Sequence, residues 1–517
     1  MKNSRFLAIL LVIFVLLASS CTSDGQDESG NVSQAESSEA VCGNEDADRN
    51  EICDICFESV IITVDFYVIN DLHGKITDTD TQPGVDELTT YFKRLQNSED
   101  NLILLSAGDS WQGSSESNMT QGLLTTEWMN EVGFSAMTLG NHEYDWGEAL
   151  IELNSDFAQF PLLAINVYDP DTHTREEYCK SSVMLEVSGL KIGVIGAIGD
   201  CYSSIAADKT EDVYFIVGDE LTELVKAESD SLRMRGADFI VYILHDGLGE
   251  SKGSSVSGVS GNEISYYYDI ALSNGYVDLV FEAHTHQKYI LRDTYGVYHL
   301  QNRGENQGIS HVEVQINAVT GVNFVTKTEL IDASAYSWLI DDPLVDELLD
   351  KYSEQLAPSY EELGHNRTRR NSSTIKQYVA DLYYDVGIDT WGDEYDIALG
   401  GGYISVRSPY ELPVGTVTYA QLHMLLPFDN QIVLCSIKGS DLKNNFFESS
   451  NSNYYISYGE YGASIRNSID PNKTYYIVTD TYSALYKPNR LTEIARLDET
   501  TFARDLLADY IRDGGLS

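Results

Sequence analysis

The chain is 517 residues long, more than one ordinary core can hold, so two large domains with additional segments are expected. Hydrophobic residues make up 43%, enough for globular cores, while 81 acidic residues against 33 basic ones leave a net charge of −48. A field of that sign repels phosphate backbones and anionic membrane surfaces, which argues against a nucleic-acid polymer as partner; a small anion is affected less, because bound cations invert the field locally.

The chain opens with Lys2 and Arg5, an unbroken apolar run from Phe6 to Leu17, and then small residues. This reads as an export signal over residues 1–21, too short for a membrane-spanning helix. Ala18-Ser19-Ser20-Cys21 resembles a bacterial lipobox, although leucine is commoner where Ala18 stands. The likeness implies a lipid on Cys21 and an exported protein anchored to the membrane at the cell surface; ordinary secretion with a free Cys21 is the competing reading. Cys42, Cys53, Cys56, Cys179, Cys201 and Cys435 then lie in a compartment that permits disulfides, and six thiols allow fifteen pairings.

Residues 22–59 read as a disordered acidic tether that ends in a Cys-rich segment. Within it Asp46, Asp48, Asn50 and Asp54 alternate as calcium ligands do, but Glu51 takes the place of the turn glycine and Phe57 that of the bidentate glutamate. A solvated acidic loop closed by a disulfide competes with the calcium site.

From residue 60 to 331, apolar runs alternate with helical patterns: VIITVDFYVIN, NLILLSAGD, PLLAINV, LKIGVIGAIG, ADFIVYILH and VDLVFEAH. Runs of this length, rich in Val and Ile, predict strands buried on both faces of a layered α/β domain. Residues 332–371 read as a linker with a helix, and residues 372–517 as a second α/β unit marked by YDIALGGGYISVR, LLPFDNQIVLCSIKG and KTYYIVTDTYSALY.

Polar motifs follow five of the runs: Asn70-Asp71-Leu72-His73-Gly74, Gly108-Asp109, Gly140-Asn141-His142-Glu143, Leu244-His245-Asp246-Gly247 and Ala283-His284-Thr285-His286. One Asp or His at a strand end is usually a cap or a surface residue. Five such motifs, at the ends where α/β folds bind ligands, point instead to one crevice lined with carboxylate, amide and imidazole donors. The set resembles the calcineurin-like metallophosphoesterases, and within them the 5'-nucleotidase and UDP-sugar hydrolase family, from about Val60 to the C-terminus.

That resemblance implies a four-layer N-terminal β-sandwich flanked by helices, followed by a C-terminal α/β substrate domain. It also implies two divalent cations (zinc, manganese or iron). Asp71, His73 and His286 would hold one, Asn141, His245 and His284 the other, and Asp109 would bridge them. A shared carboxylate suits cations about 3.5–4 Å apart, and neutral imidazoles add affinity without excess charge. By the same likeness His142 faces the phosphate and is oriented by Asp145, for which a helix N-cap is the plainer reading; Ala283 stands where the family has glycine.

For the second domain the resemblance implies a base clamp of Phe428 and Tyr482, with Arg370 and Arg407 gripping phosphate or sugar through their planar forks. Core packing is the plainer reading of Phe428. Two departures bear on substrate: Gly400 replaces the family's asparagine, and Leu485-Tyr486-Lys487-Pro488-Asn489 replaces a loop whose aspartate contacts ribose. The function implied is hydrolysis of nucleoside monophosphates outside the cytoplasm. A 2',3'-cyclic-nucleotide phosphodiesterase, a UDP-sugar hydrolase or a broad phosphatase are the alternatives, and a surface binding protein on an inactive scaffold is the alternative of another class.

Overall fold

The computed structural model describes residues 46, 51–52, 60–78, 83–206, 209–248, 275–293, 295–407, 411–447, 454–459, 462, 465–486, 491–498 and 500–516. The export signal, Cys21, most of the tether and Asp48, Asn50 and Asp54 of the calcium expectation lie outside these residues. Asp46 is described, and its carboxylate accepts a hydrogen bond from the Glu51 N–H at 3.0 Å. Cys179, Cys201 and Cys435 are buried free thiols. Among the described residues no helix is long and apolar enough to cross a membrane.

The first domain is built on two six-stranded sheets. One runs Asn323–Asp332, Gly308–Asn317, Ile61–Ile69, Leu102–Ser106, Ala136–Thr138, Leu162–Leu163 in spatial order, its last four strands parallel. The other runs Tyr289–Arg292, Tyr298–Gln301, Leu279–Glu282, Phe239–His245, Leu190–Ile198, Ser182–Val187, with four parallel strands between antiparallel edges.

Successive side chains of a strand point to opposite faces, and here both faces are covered. Val64, Phe66 and Val68 meet Phe239, Val241 and Ile243 between the sheets. Tyr67 and Ile69 face the other way, into a core with Leu88 and Phe92 of helix Asp86–Ser98 and Trp128 and Met129 of helix Leu123–Val132. Ile240, Tyr242 and Leu244 pack outward onto Leu221, Val225 and Leu232 of helix Asp219–Met234. Helix, sheet, sheet and helix make the expected four layers.

The PLLAINV run is not one strand. It yields two-residue strands Leu162–Leu163 and Val167–Tyr168, because the buried Asn166 amide bonds Ile198 O at 2.6 Å and Ile216 O at 2.8 Å and draws the chain out of the ladder.

Residues 332–371 are divided between the two domains. Helix Pro343–Lys351, capped by the Asp342 side chain on Leu344 N, sends Val345 and Leu348 into the first domain's core. Strand Glu362–Asn366 pairs antiparallel with Gly415–Thr418, and Leu363 joins the second domain's core. That domain has a five-stranded sheet ordered Tyr454–Ser457, Ile397–Tyr403, Thr474–Asp480, Ile432–Lys438, Thr492–Arg496. Helix Ser372–Trp391, N-capped by Asn371, lays Ile375, Val379 and Tyr383 onto Ile397, Leu434 and Val478.

Candidate metal centre and active site

Parallel strands end at the same edge, so the loops that follow them converge. Asp71 and His73 follow Ile61–Ile69, Asp109 follows Leu102–Ser106, Asn141 and His142 follow Ala136–Thr138, His245 ends Phe239–His245, and His284 and His286 follow Leu279–Glu282. Asp71, His73, Asp109, His284 and His286 all have left-handed backbone, with φ between 50° and 66°. This conformation costs about 1–2 kcal/mol for a residue with a Cβ, so the surrounding contacts must hold it.

Those contacts are extensive. The Asp71 carboxylate accepts the His284 N–H at 3.0 Å and the Asn70 amide at 2.7 Å. The buried Glu143 carboxylate accepts N–H groups of Gly140 (2.7 Å), Ser110 (2.8 Å), Asp109 (2.9 Å) and Trp111 (3.3 Å), locking two ligand loops together. The sequence displayed Glu143 inside a motif, but nothing there marked it as the clamp. Burial and the nearby Asp109 push its carboxyl up to about 7.

Three sets of donors gather. Asp71, His73 and His286 place ligand atoms within 4.8 Å of one another, as do Asp71, Asp109 and His245, and also Cys201, His245 and His284. His73 Nε2 is 3.3 Å from His286 Nε2. His245 Nε2 lies 3.1 Å from Asp109 Oδ2 and 3.2 Å from Asn141 Oδ1, while its Nδ1 donates to Ala107 O at 2.7 Å and so fixes the tautomer. The structure thus brings together the seven side chains expected from the sequence.

Electrostatics suit a cation. Burial alone would raise the Asp109 carboxyl, but His245 and His142 hold it well below the usual range. Burial together with Arg407 keeps His73 neutral, and burial together with His245 does the same for His284. Burial pushes His245 and His286 down, but Asp109 carries His245 up to about 10 and Asp71 carries His286 upward, so these two would release a proton as a cation took its place. With that exchange the donor set fits divalent metal, which binds neutral imidazoles and ionised carboxylates.

His142 does not point at its neighbour's partners. Its N–H donates to Asp109 Oδ1 at 2.8 Å, and its ring Nδ1 is 2.7 Å from Asp145 Oδ2. Asp145 therefore backs the imidazole instead of capping the following helix, whose N-cap is Gly147. Burial pushes the imidazole down, but Asp145 and Asp109 outweigh it and the net shift is upward.

The second domain reaches the same place. Arg407 Nη2 lies 3.0 Å from His73 Nδ1, its Nη1 is buried with no hydrogen-bond partner among the described residues, and Gly113 leaves it room, since a Cβ there would come within 2.4 Å of Nη1. Phe428 is half-buried and stacks on His142 with centroids 5.7 Å apart. Tyr482 lies against Tyr403 at 5.8 Å. Arg370 rests over the Tyr378 ring at 5.5 Å, and its backbone pairs with Leu412.

The calcineurin-like phosphoesterase family matches residues 64–288, and that domain with this donor set makes the chain a metal-dependent phosphoric ester hydrolase. The 5'-nucleotidase C-terminal domain matches residues 355–489. Mouse 5'-nucleotidase is 26% identical over 443 residues, 76% of this chain and 72% of that protein. An apyrase of Tabanus yao is 26% identical over 417 residues, 73% of this chain and 72% of that protein. A 5'-nucleotidase precursor from Thermus thermophilus superposes with a TM-score of 0.66 at 18% identity, covering 87% of this chain and 96% of that one. The chain thus carries a calcineurin-like phosphoesterase domain followed by a 5'-nucleotidase C-terminal domain, and its relatives of similar length are 5'-nucleotidases and an apyrase.

Proposed function

We propose that this protein hydrolyses nucleoside monophosphates to nucleoside and phosphate, outside the cytoplasm, at a centre of two divalent cations. Asp71, His73 and His286 would hold one cation, Asn141, His245 and His284 the other, with Asp109 between them. The observation that carries this reading is Asp109: its carboxylate shares one donor cluster with Asp71 and His245, and the left-handed turn that presents it is clamped by Glu143. Zinc, manganese and iron all accept such ligands; calcium has no part in the proposal.

When bound, the cations supply Lewis acidity toward phosphoryl oxygens and acidify a water that attacks phosphorus. The protein supplies the rest. Water oxygen bonds to phosphorus as the ester P–O bond breaks, and the leaving oxygen needs a proton or a compensating charge. His142, with Nδ1 held by Asp145, presents Nε2 for that purpose, and its upward shift favours the protonated form. Arg407, whose buried Nη1 has no hydrogen-bond partner among the described residues, binds a phosphate oxygen. Phe428 and Tyr482 stack the base, a contact worth roughly 1–3 kcal/mol per base that discriminates little among bases. Arg370 is the second arginine of the reading, a grip on phosphate or sugar.

Export and lipid attachment at Cys21 belong to the same proposal and rest on the N-terminal sequence. Labelled fatty acid should follow Cys21 and be absent from Cys21→Ala. For substrate, turnover should be compared among AMP (products adenosine and phosphate), a 2',3'-cyclic nucleotide (product a ring-opened nucleoside monophosphate) and a UDP-sugar (products UMP and sugar 1-phosphate), with the products resolved by chromatography and manganese or zinc supplied. The highest kcat/KM is expected for AMP. Faster turnover of either of the others would replace the nucleotidase assignment, and no turnover of any of them would leave the chain a binding protein.

A further inference from the structure

The stretch from Ala283 to Gln287 carries two proposed ligands with different partners. His286 clusters with Asp71 and His73, whereas His284 clusters with His245 and Cys201. Both histidines have left-handed backbone, φ 66° and 52°, so the loop is held in a shape that it does not favour by itself.

One fully buried side chain grips it from inside the fold. Gln301 ends strand Tyr298–Gln301, the parallel neighbour of Leu279–Glu282. Its Nε2 donates to Ala283 O at 2.8 Å and to Tyr289 Oη at 3.1 Å. Its Oε1 accepts from Thr285 Oγ1 and from Gln287 N, both at 2.9 Å. The amide can sit only one way round, because a flip would set Oε1 against a carbonyl oxygen and Nε2 against an N–H. Room for it comes from the opposite ligand loop: a Cβ on Gly247, two residues beyond His245, would lie 2.0 Å from Gln301 Nε2.

We infer that Gln301 is the positioning residue for both cation positions, setting the Ala283–Gln287 loop so that the two affinities rise and fall together. The inference rests on His284 and His286 being metal ligands, as proposed above. Loss of a residue that orients ligands commonly weakens metal binding by about 10–100-fold. Removing one ligand should instead strip mainly one position.

The test is calorimetric titration of the full, chelator-stripped protein with manganese, using Gln301→Leu beside His284→Ala and His286→Ala. Gln301→Leu should weaken both binding steps by about 10–100-fold while its metal-free unfolding transition stays cooperative. Should Gln301→Leu fail to fold, Thr285→Val, which removes one of the four hydrogen bonds from the loop side, takes its place with a smaller effect on both steps. The inference is overturned if the two steps keep wild-type affinity, if only one weakens, or if stability falls while affinity does not. If the two histidine variants themselves bind two manganese ions normally, the ligand assignment fails, and that outcome is read from different proteins than the first.

Discussion

His142 acquires a role from its neighbours. Asp145 fixes one ring nitrogen, Asp109 receives its backbone N–H, and Phe428 covers one face of the ring. None of these contacts requires a cation. His142→Ala should therefore lower kcat by about 10²-fold or more while both cations stay bound, as checked by turnover together with metal content; unchanged turnover would remove His142 from the chemistry. His299 gives a stability prediction. It is buried between Glu282 (2.9 Å) and Asp293 (3.6 Å); burial pushes the imidazole down, but Glu282 and Asp293 carry it up to about 9 against an ordinary 6.5. A raised folded-state value means stabilisation that is complete below the unfolded pKa and lost as pH climbs through the folded one. The stability advantage of wild type over His299→Gln, on the order of 3 kcal/mol at pH 6, should shrink steadily between pH 6.5 and 9. Denaturation at several pH values would show it, and a gap that widens with pH would refute it.

At the level of elements, Gly400 turns a departure from the family pattern into packing. A Cβ at this position would lie 2.3 Å from Tyr384 N and 2.7 Å from Ala380 O, because helix Ser372–Trp391 presses directly on strand Ile397–Tyr403. Gly400→Asn should destabilise the second domain by about 1–3 kcal/mol or more, the usual cost of overpacking; equal denaturation midpoints would mean that the helix yields freely. Strands buried on both faces were legible in the sequence, since a short, continuous run of Val, Ile and Leu between turn residues suits a strand covered on each side. Their ends were legible too, because the polar motifs stand where those runs stop. Asn166 was not, as its effect depends on carbonyls of Ile198 and Ile216 that are distant in sequence. Glu143 and Gln301 escaped for the same reason. A buried acid and a buried amide carry no periodic signal, and what they grip is defined only once the strands have paired.

Across the whole molecule the centre is shared between domains. Gln112 and Asn118 of the first domain donate to Pro427 O of the second at 3.0 Å and 3.2 Å, next to the ring that covers His142. The second domain reaches His73 and His142 through Arg407 and Phe428, two residues that the sequence offered as substrate contacts. The pairing of Phe428 with Tyr482 was expected as a clamp, and each ring here has another aromatic neighbour, His142 for one and Tyr403 for the other. The connector expected over residues 332–371 contributes to both cores, something amphipathic pattern alone could not assign to either. A chain with net charge −48 that handles phosphate needs local positive charge, which bound cations beside Arg407 would supply. The most direct measurement is phosphate release from AMP as manganese is added back to chelator-stripped protein. The activity should be negligible without metal and reach its plateau as two ions bind per chain. Undiminished release from the stripped protein, or a plateau reached with a single ion, would contradict the account.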